Sequence, residues 1–190
     1  MSAHADDIVA LIADIFERRG AEAYLGEAVT MAEHMLQTAT LAHHAGAPDA
    51  LVTAALLHDI GHFTSEFGAY RDDDTVDRRH DDAGAKVLAG HFPPRVVETV
   101  RLHVTAKRYL CAVEPAYYDA LSGASKHSLK LQGGAMNAEE VAAFEQLREH
   151  ADAVLVRRWD DAGKVPDMRT MTFEEFRPLL ERTASCPPSG

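Results

Sequence analysis

Cysteine is scarce in this 190-residue chain, which excludes a fold held together by disulfide bridges. The two cysteines, Cys111 and Cys186, are too few for a bridged framework, and no zinc-ligand spacing surrounds them. The chain also has no window near the roughly 18 apolar residues that a membrane-spanning helix requires. Its amino terminus lacks the basic segment and apolar run of an export signal. We therefore expect a cytoplasmic protein that does not associate with a membrane.

Positive charge is also in short supply, and this limits the partners of the protein. The 19 lysines and arginines face 30 aspartates and glutamates, which gives a net charge of −11. Such a chain lacks the basic surface that binds nucleic acids or anionic membranes, and no obligate protein partner is evident. A small anionic ligand remains compatible, because it needs only a local group of cations. The length fits one domain at residues 1–183, followed by a disordered tail at 184–190.

The apolar pattern is helical, so we predict an all-α bundle. Apolar residues recur three and four positions apart, and no sustained run alternates with the period of two that strands require. In the first helix this spacing places Ile8, Leu11 and Ile12 on one apolar face. A polar stretch at residues 64–77 is expected to be a mobile surface loop.

Capping and breaking residues give the expected helix boundaries. The second helix should end near Ala45, and the third, apolar on every side, should be capped by Asp49 and stopped by Gly61. A capping box at Asn137 and Glu140 predicts a long helix that reaches toward Arg157. The remaining predicted helices are His80 to Gly90, Pro94 to Ala106 and a last one that starts at Thr172.

The sharpest local motif is HDIGH at residues 58–62, which ends the apolar third helix. A neutral imidazole beside a carboxylate, both held by a rigid buried helix, is a suitable pair of ligands for a first-row metal. The dipeptide alone is common, and a capping Asp59 beside a structural His58 is the plainer interpretation. The flanking apolar helix favours the metal-binding one.

Other histidines share the inward faces of the predicted helices. His34, His80 and His103 each lie on an apolar helical stripe. One such histidine alone is more often a hydrogen-bonded structural residue than a ligand. Several together are harder to explain, because each buried unpaired polar group costs on the order of 1–3 kcal/mol. Asp160 follows Arg157 by three residues and completes a ligand set. The adjacent Asp161 is a competitor for this position, and solvated charges at a helix end remain an alternative for either residue.

These residues resemble a known family. His34, the His58–Asp59 pair and Asp160 match the H…HD…D pattern of the HD-domain superfamily, and the added histidines resemble its branch with two metals. Within that branch, the segments YLGEAVTMAEHMLQ, ALLHDIGHF, HVTAKRYL, LQGGAM and RRWD are similar to PhnZ-type oxygenases, which cleave hydroxylated phosphonates. The resemblance covers roughly residues 20–165.

The resemblance implies a site with two iron ions, a mixed-valent Fe(II)/Fe(III) pair, and the use of O2 to cleave a carbon–phosphorus bond. Asp59 would bridge the two irons. The other ligands implied are His34, His58 and Asp160 for the first iron, and His80 and His103 for the second.

The resemblance also implies the substrate contacts. Tyr24 and Glu27 match a mobile YxGE segment whose tyrosine can occupy an iron position at rest and is displaced when substrate enters. A tyrosine packed at a loop corner is the alternative. Lys107 is four residues after His103 and Arg157 precedes Asp160, which places both where they could bind the phosphonate, although such cations are more often surface charges. Three further positions would donate hydrogen bonds: His62, Ser125 and Gln132.

Thr30 and Met31 stand where relatives that act on a primary amine carry polar amides. A thioether tolerates a methylated cation, and Glu27 could balance its charge. We therefore expect 1-hydroxy-2-(trimethylammonio)ethylphosphonate as substrate, with glycine betaine and phosphate as products. The alternatives are the unmethylated amine, which would give glycine, a metal-dependent phosphohydrolase, an inositol-oxygenase-like enzyme, and a non-catalytic module that binds a nucleotide.

Overall fold

The computed structural model describes residues 3–24, 26–64 and 75–184, which form eleven helices and no extended sheet. The all-α prediction is confirmed. The helices are α1 (Ala3–Arg19), α2 (Met31–His44), α3 (Asp49–Leu57), α4 (Gly61–Thr64), α5 (His80–Leu88), α6 (Pro94–Val113), α7 (Tyr117–Ala120), α8 (Gly123–Leu131), α9 (Ala138–Glu145), α10 (His150–Ala162) and α11 (Phe173–Ala184).

The central helix is α3, whose residues 51–57 are all buried, as its uniformly apolar sequence predicts. The prediction that Asp49 caps it is wrong, because Asp49 is the first helical residue and Pro48 occupies the cap position. The Asp49 carboxylate instead pairs with Arg182 on α11 at 2.9 Å. Since α3 ends at Leu57, the next two residues, His58 and Asp59, lie in a tight turn between α3 and α4.

The prediction that Gly61 stops α3 is wrong, because Gly61 is the first residue of α4. A Cβ atom on Gly61 would lie 1.8 Å from the carbonyl oxygen of His80 and 2.6 Å from the amide nitrogen of Gly84. Only glycine permits the backbones of α4 and α5 to approach so closely. This contact brings His62 and His80 to the same side of the molecule.

The predicted long helix from Asn137 toward Arg157 is wrong, because two helices occupy that stretch. The Asn137 capping box is present, but α9 ends at Glu145, and α10 starts at His150 after a turn. In contrast, α6 continues seven residues beyond the predicted end at Ala106, and it packs along α10. These two helices carry residues that the sequence assigned to the site.

The main apolar core lies between α1, α2, α3, α6 and α11, with a smaller cluster between α6, α9 and α10. Ile8 and Ile12 are buried in it as predicted, but Leu11 is 47% exposed. Most of the predicted loop at 64–77 and nearly all of the predicted tail lie outside the described residues. Among the described residues, no helix is long and apolar enough to cross a membrane.

Candidate metal centre and substrate cavity

The first half of the predicted ligand set converges on one oxygen of Asp59. The Nε2 atoms of His34 and His58 are 3.1 Å apart, and they lie 3.5 Å and 3.4 Å from Asp59 Oδ2. Asp160 reaches the same point from α10, with its Oδ1 atom 3.4 Å from His34 Nε2. All four side chains are buried.

The other half of the set faces the second oxygen of the same carboxylate. The Nε2 atoms of His80 and His103 are 3.1 Å apart, and each lies 3.4 Å from Asp59 Oδ1. His62 Nε2 is 3.7 Å from that oxygen, and its ring stacks on that of His80. Asp59 thus stands between two groups of nitrogen donors.

Backbone carbonyls fix the orientation of three of these imidazoles. His34 Nδ1 lies 2.8 Å from the Gly163 carbonyl oxygen, His58 Nδ1 2.9 Å from that of Ala55, and His103 Nδ1 2.7 Å from that of Val100. A carbonyl oxygen can only accept, so each neutral ring carries its hydrogen on Nδ1 and directs the Nε2 lone pair inward. This is the tautomer that metal-binding histidines use.

Two buried oxygen atoms at this cluster, Asp59 Oδ2 and Asp160 Oδ1, have no hydrogen-bond partner. Unpaired buried oxygens and converging lone pairs are costly unless a cation lies between them. Ligand atoms bound about 2.1 Å from one ion at right angles would be about 3 Å apart. The observed spacings of 3.1–3.5 Å are close to that value, so the residues fit metal ions on both sides of Asp59.

The electrostatics of the cluster favour ionised carboxylates and keep two of the histidines neutral. Burial would raise the pKa of Asp59, but the histidines around it, His58 first, hold it well below its usual range. Burial is also outweighed at Asp160, where Arg157 keeps the pKa below its usual range. Burial lowers the pKa values of His62 and His80. Asp59 and Asp160 are therefore ionised, and His62 and His80 are neutral. At His58, burial would lower the pKa, but the nearby carboxylates of Asp59 and Asp160 raise it.

A cavity of about 580 Å³, including the space open to solvent at its mouth, adjoins the cluster. The residues that the sequence assigned to the substrate line it, with one exception. Those that line it are His62, Lys107, Ser125, Gln132 and Arg157, together with the segment residues Tyr24 and Glu27.

Met31 is the exception, and its predicted contact with the substrate is not supported. Its side chain is 3% exposed and belongs to the main apolar core, and it is not among the residues that line the cavity. Thr30 caps α2, where its Oγ1 accepts from the amide of Glu33 at 3.2 Å. Both residues serve the start of the helix that carries His34.

Tyr24 and Glu27 lie beside the cluster, at the wall of the cavity. The Tyr24 ring stacks on that of His34, with centroids 4.0 Å apart and planes inclined by 13°. Burial and the nearby carboxylates, Asp59 first, raise the pKa of Tyr24 well above its usual value, so the phenol is neutral. Glu27 accepts a hydrogen bond from Ser122 Oγ at 2.6 Å.

Lys107 supplies one cation to the cavity. It is 3% exposed, and its Nζ atom donates to Ser128 Oγ at 2.8 Å. Burial first, and then the charge of Arg157, lower the pKa of Lys107 to about 7. Near neutral pH this side chain can therefore gain or lose its charge.

Arg157 supplies a second cation and is held from two sides. Its Nη1 atom is 2.7 Å from Asp160 Oδ2, and its Nε atom donates to Asp161 and to the Tyr117 hydroxyl, both at 3.1 Å. Its Nη2 atom also pairs with Asp161. A guanidinium has five N–H donors, so one remains on each terminal nitrogen for a ligand.

Sequence reasoning missed Lys164, which lines the cavity and lies 3.5 Å from Asp160 Oδ1. Its position four residues after Asp160 was the available signal. Sequence reasoning also treated Asp161 only as a competitor of Asp160, whereas it orients Arg157.

Comparison with known proteins finds a matching family model and similar proteins of named activity. A family model described as the HD domain matches residues 31–141. A [1-hydroxy-2-(trimethylamino)ethyl]phosphonate dioxygenase (glycine-betaine-forming) of Leisingera caerulea is 56% identical over 176 residues, which is 93% of this chain and 90% of that protein. A hydroxymethylphosphonate dioxygenase of Gimesia maris is 44% identical over 161 residues, 84% of this chain and 80% of that protein.

Proposed function

We propose that this chain, which belongs to the HD-domain family, is a dioxygenase. It uses O2 to cleave the C–P bond of 1-hydroxy-2-(trimethylammonio)ethylphosphonate. The products are glycine betaine and phosphate. The 56% identity to a dioxygenase named for this reaction, over nearly the full length of both chains, is the observation that carries the proposal.

The cofactor we propose is a pair of irons in the Fe(II)/Fe(III) state, with Asp59 as the bridge. The division of donors between the two oxygens of Asp59 supports two ions rather than one. We assign His103 to the second iron in preference to His62, because its Nδ1 is fixed by the Val100 carbonyl. Oxygen ligands and imidazoles suit iron. Bound iron would supply the activation of O2.

The phosphonate would be bound by Lys107 and by the two free N–H groups of Arg157, with Ser125 beside them in the cavity wall. Charge-assisted hydrogen bonds to phosphonate oxygens are short and strong. They would orient C1 toward the metal ligands, and the buried walls would exclude water from the reacting carbon. The phenol of Tyr24, neutral because of its raised pKa, closes the side next to His34.

The reaction balances without any further reactant. The substrate, whose doubly ionised phosphonate and trimethylammonium leave it with a single net negative charge, reacts with O2 to give glycine betaine, hydrogen phosphate and one proton. C1 loses its bond to phosphorus and is oxidised to a carboxylate, while O2 is fully reduced. A protein that performs this reaction needs no group that stores electrons between turnovers.

The trimethylated nitrogen is supported by the activity of the 56% relative and not by Met31. Phosphonates with three, two, one and no N-methyl groups, and hydroxymethylphosphonate, which has no amine, would test the choice. We expect kcat/KM to fall with each methyl removed, at about 1–3 kcal/mol per methyl in a fitted pocket. Preference for hydroxymethylphosphonate would assign this chain to the activity of the 44% relative. Phosphate release without O2 would indicate a phosphohydrolase.

A further inference from the structure

The carboxylate of Asp161, which orients Arg157, has a second cation within reach. Its Oδ1 atom pairs with Arg157 Nη2 and also lies 3.9 Å from the Nζ atom of Lys164. The Asp161 side chain is 24% exposed, and ion pairs that water can reach are weak. Charge alone therefore does not secure the pairing of Asp161 with Arg157.

The hydroxyl of Tyr117 adds a contact that bonds to both members of this pair. It donates to Asp161 Oδ2, and it accepts from Arg157 Nε at 3.1 Å. Because Arg157 Nε also donates to Asp161 Oδ2 at 3.1 Å, the three groups form a closed triangle of hydrogen bonds. A hydroxyl can donate and accept at once, whereas a phenylalanine at this position could do neither.

The surroundings keep the Tyr117 hydroxyl in the state that the triangle needs. Burial raises the pKa of Tyr117 above its usual value, and Asp161 raises it further, although the charge of Arg157 acts in the opposite direction. The phenol is therefore neutral and retains the hydrogen that it donates to Asp161.

The fold places this hydroxyl at α10 through the connection between α6 and α7. None of the four residues of α7 is fully buried, and Tyr117 at its start is half-buried. Three residues earlier, Glu114 pairs with Arg158. The two consecutive arginines of α10 thus each bind one residue of this connection, so the position of Tyr117 does not depend on a ligand.

We propose that Tyr117 is a positioning residue that holds Asp161 against one edge of Arg157 and thereby aims the remaining N–H groups of the guanidinium into the cavity. That edge consists of Nε and Nη2, and Asp160 holds Nη1 from the other side. Without the hydroxyl, Asp161 can turn toward Lys164, and the guanidinium loses its fixed orientation. Tyr117 is not among the described residues that line the cavity, so it acts through Arg157.

The inference rests on the proposed function only in taking the anion at Arg157 to be a phosphonate. Inorganic phosphate, a similar anion that cannot turn over, therefore tests it by isothermal titration calorimetry of the purified holoenzyme. Tyr117→Phe removes a single oxygen atom and should raise the Kd for phosphate about fivefold, the effect of one lost hydrogen bond. The iron content should stay the same.

Two other tyrosines provide matched controls. Tyr118→Phe changes the neighbouring residue, which is 40% exposed. Tyr109→Phe also deletes a hydroxyl that donates to a carboxylate, that of Glu145 at 2.9 Å, but it lies outside the cavity wall. Both controls should leave the Kd for phosphate unchanged. An unchanged Kd in Tyr117→Phe, or a wild type that binds no phosphate, would overturn the proposal.

An Arg157→Lys background separates positioning from general support of the fold. Lysine keeps the positive charge but has no Nε–H group for the Tyr117 hydroxyl to accept. In this background Tyr117→Phe should have no further effect on the Kd, because the contact through which it acts is already gone. An equal loss in both backgrounds would overturn the positioning role.

Turnover of the full substrate gives a second measurement. Tyr117→Phe should raise KM about fivefold and leave kcat nearly unchanged, since the hydroxyl touches neither the reacting carbon nor a metal ligand. A fall in kcat at constant KM would contradict the proposal. Failure of the proposed function would appear separately, as absence of glycine betaine from the wild type while phosphate still binds.

Discussion

Lys107 should make substrate binding depend on pH in a way that its replacement removes. Its pKa is lowered to about 7 by burial and by the charge of Arg157. In the free enzyme the ammonium is therefore charged below pH 7 and mostly neutral above it. A neutral amine cannot offset the charge of a phosphonate, so affinity should weaken as the pH rises through 7.

The size of the effect follows from the contact that is lost. A hydrogen bond to a charged group contributes about 1.5–3 kcal/mol, which corresponds to roughly 10- to 150-fold in KM. Above pH 7, binding requires the uptake of one proton by Lys107. Apparent affinity then falls by up to about tenfold per pH unit until the contribution of the charge is gone.

The assay compares Lys107→Met with the wild type over the range from pH 6 to pH 9. Because the ionisation of the substrate affects both enzymes equally, the ratio of their KM values isolates the lysine. The KM of Lys107→Met divided by the KM of the wild type should be roughly 10–150 near pH 6 and should approach one near pH 9. The iron content should be the same in both proteins. A ratio that stays constant over the whole range would refute the assignment of the low pKa to a substrate contact.

Three more perturbations test other parts of the site. Asp161→Asn removes the carboxylate that orients Arg157, so KM should rise by about tenfold with iron retained; a normal KM would mean that Arg157 needs no such support. His103→Ala should reduce bound iron from two ions per chain to one in elemental analysis, and two ions in this variant would contradict its role as a ligand. Gly61→Ala should lower the free energy of unfolding by about 1–3 kcal/mol in urea denaturation, because the added methyl meets the His80 carbonyl; unchanged stability would show that α4 and α5 can separate at no cost.

Much of the fold could be predicted because the helices have periodic apolar faces and clear caps. The capping boxes at Thr172 and Asn137 are present as the sequence indicated. The break between α9 and α10 was not predictable, because no glycine or proline lies there. At this break the Leu147 carbonyl accepts from both the ring and the amide of His150.

Some of the site residues could be predicted from the sequence, and others could not. Inward helical stripes indicated His34, His80 and His103, since a side chain that faces the core is set by helical periodicity. The positions of Met31 and Lys164 relative to the cavity were not fixed by helical periodicity. Met31 shares a helix with His34, but its side chain points into the apolar core rather than the cavity. Lys164 lines the cavity, and it follows Gly163, where a Cβ atom would lie 2.7 Å from Thr38 Oγ1.

The most direct test of the account is a measured stoichiometry. The iron-loaded enzyme would be incubated with 1-hydroxy-2-(trimethylammonio)ethylphosphonate, and the O2 consumed would be compared with the glycine betaine and phosphate formed. We predict equal amounts of all three and no product under argon. Phosphate formed under argon, or phosphate formed without glycine betaine, would contradict the proposed oxidative cleavage.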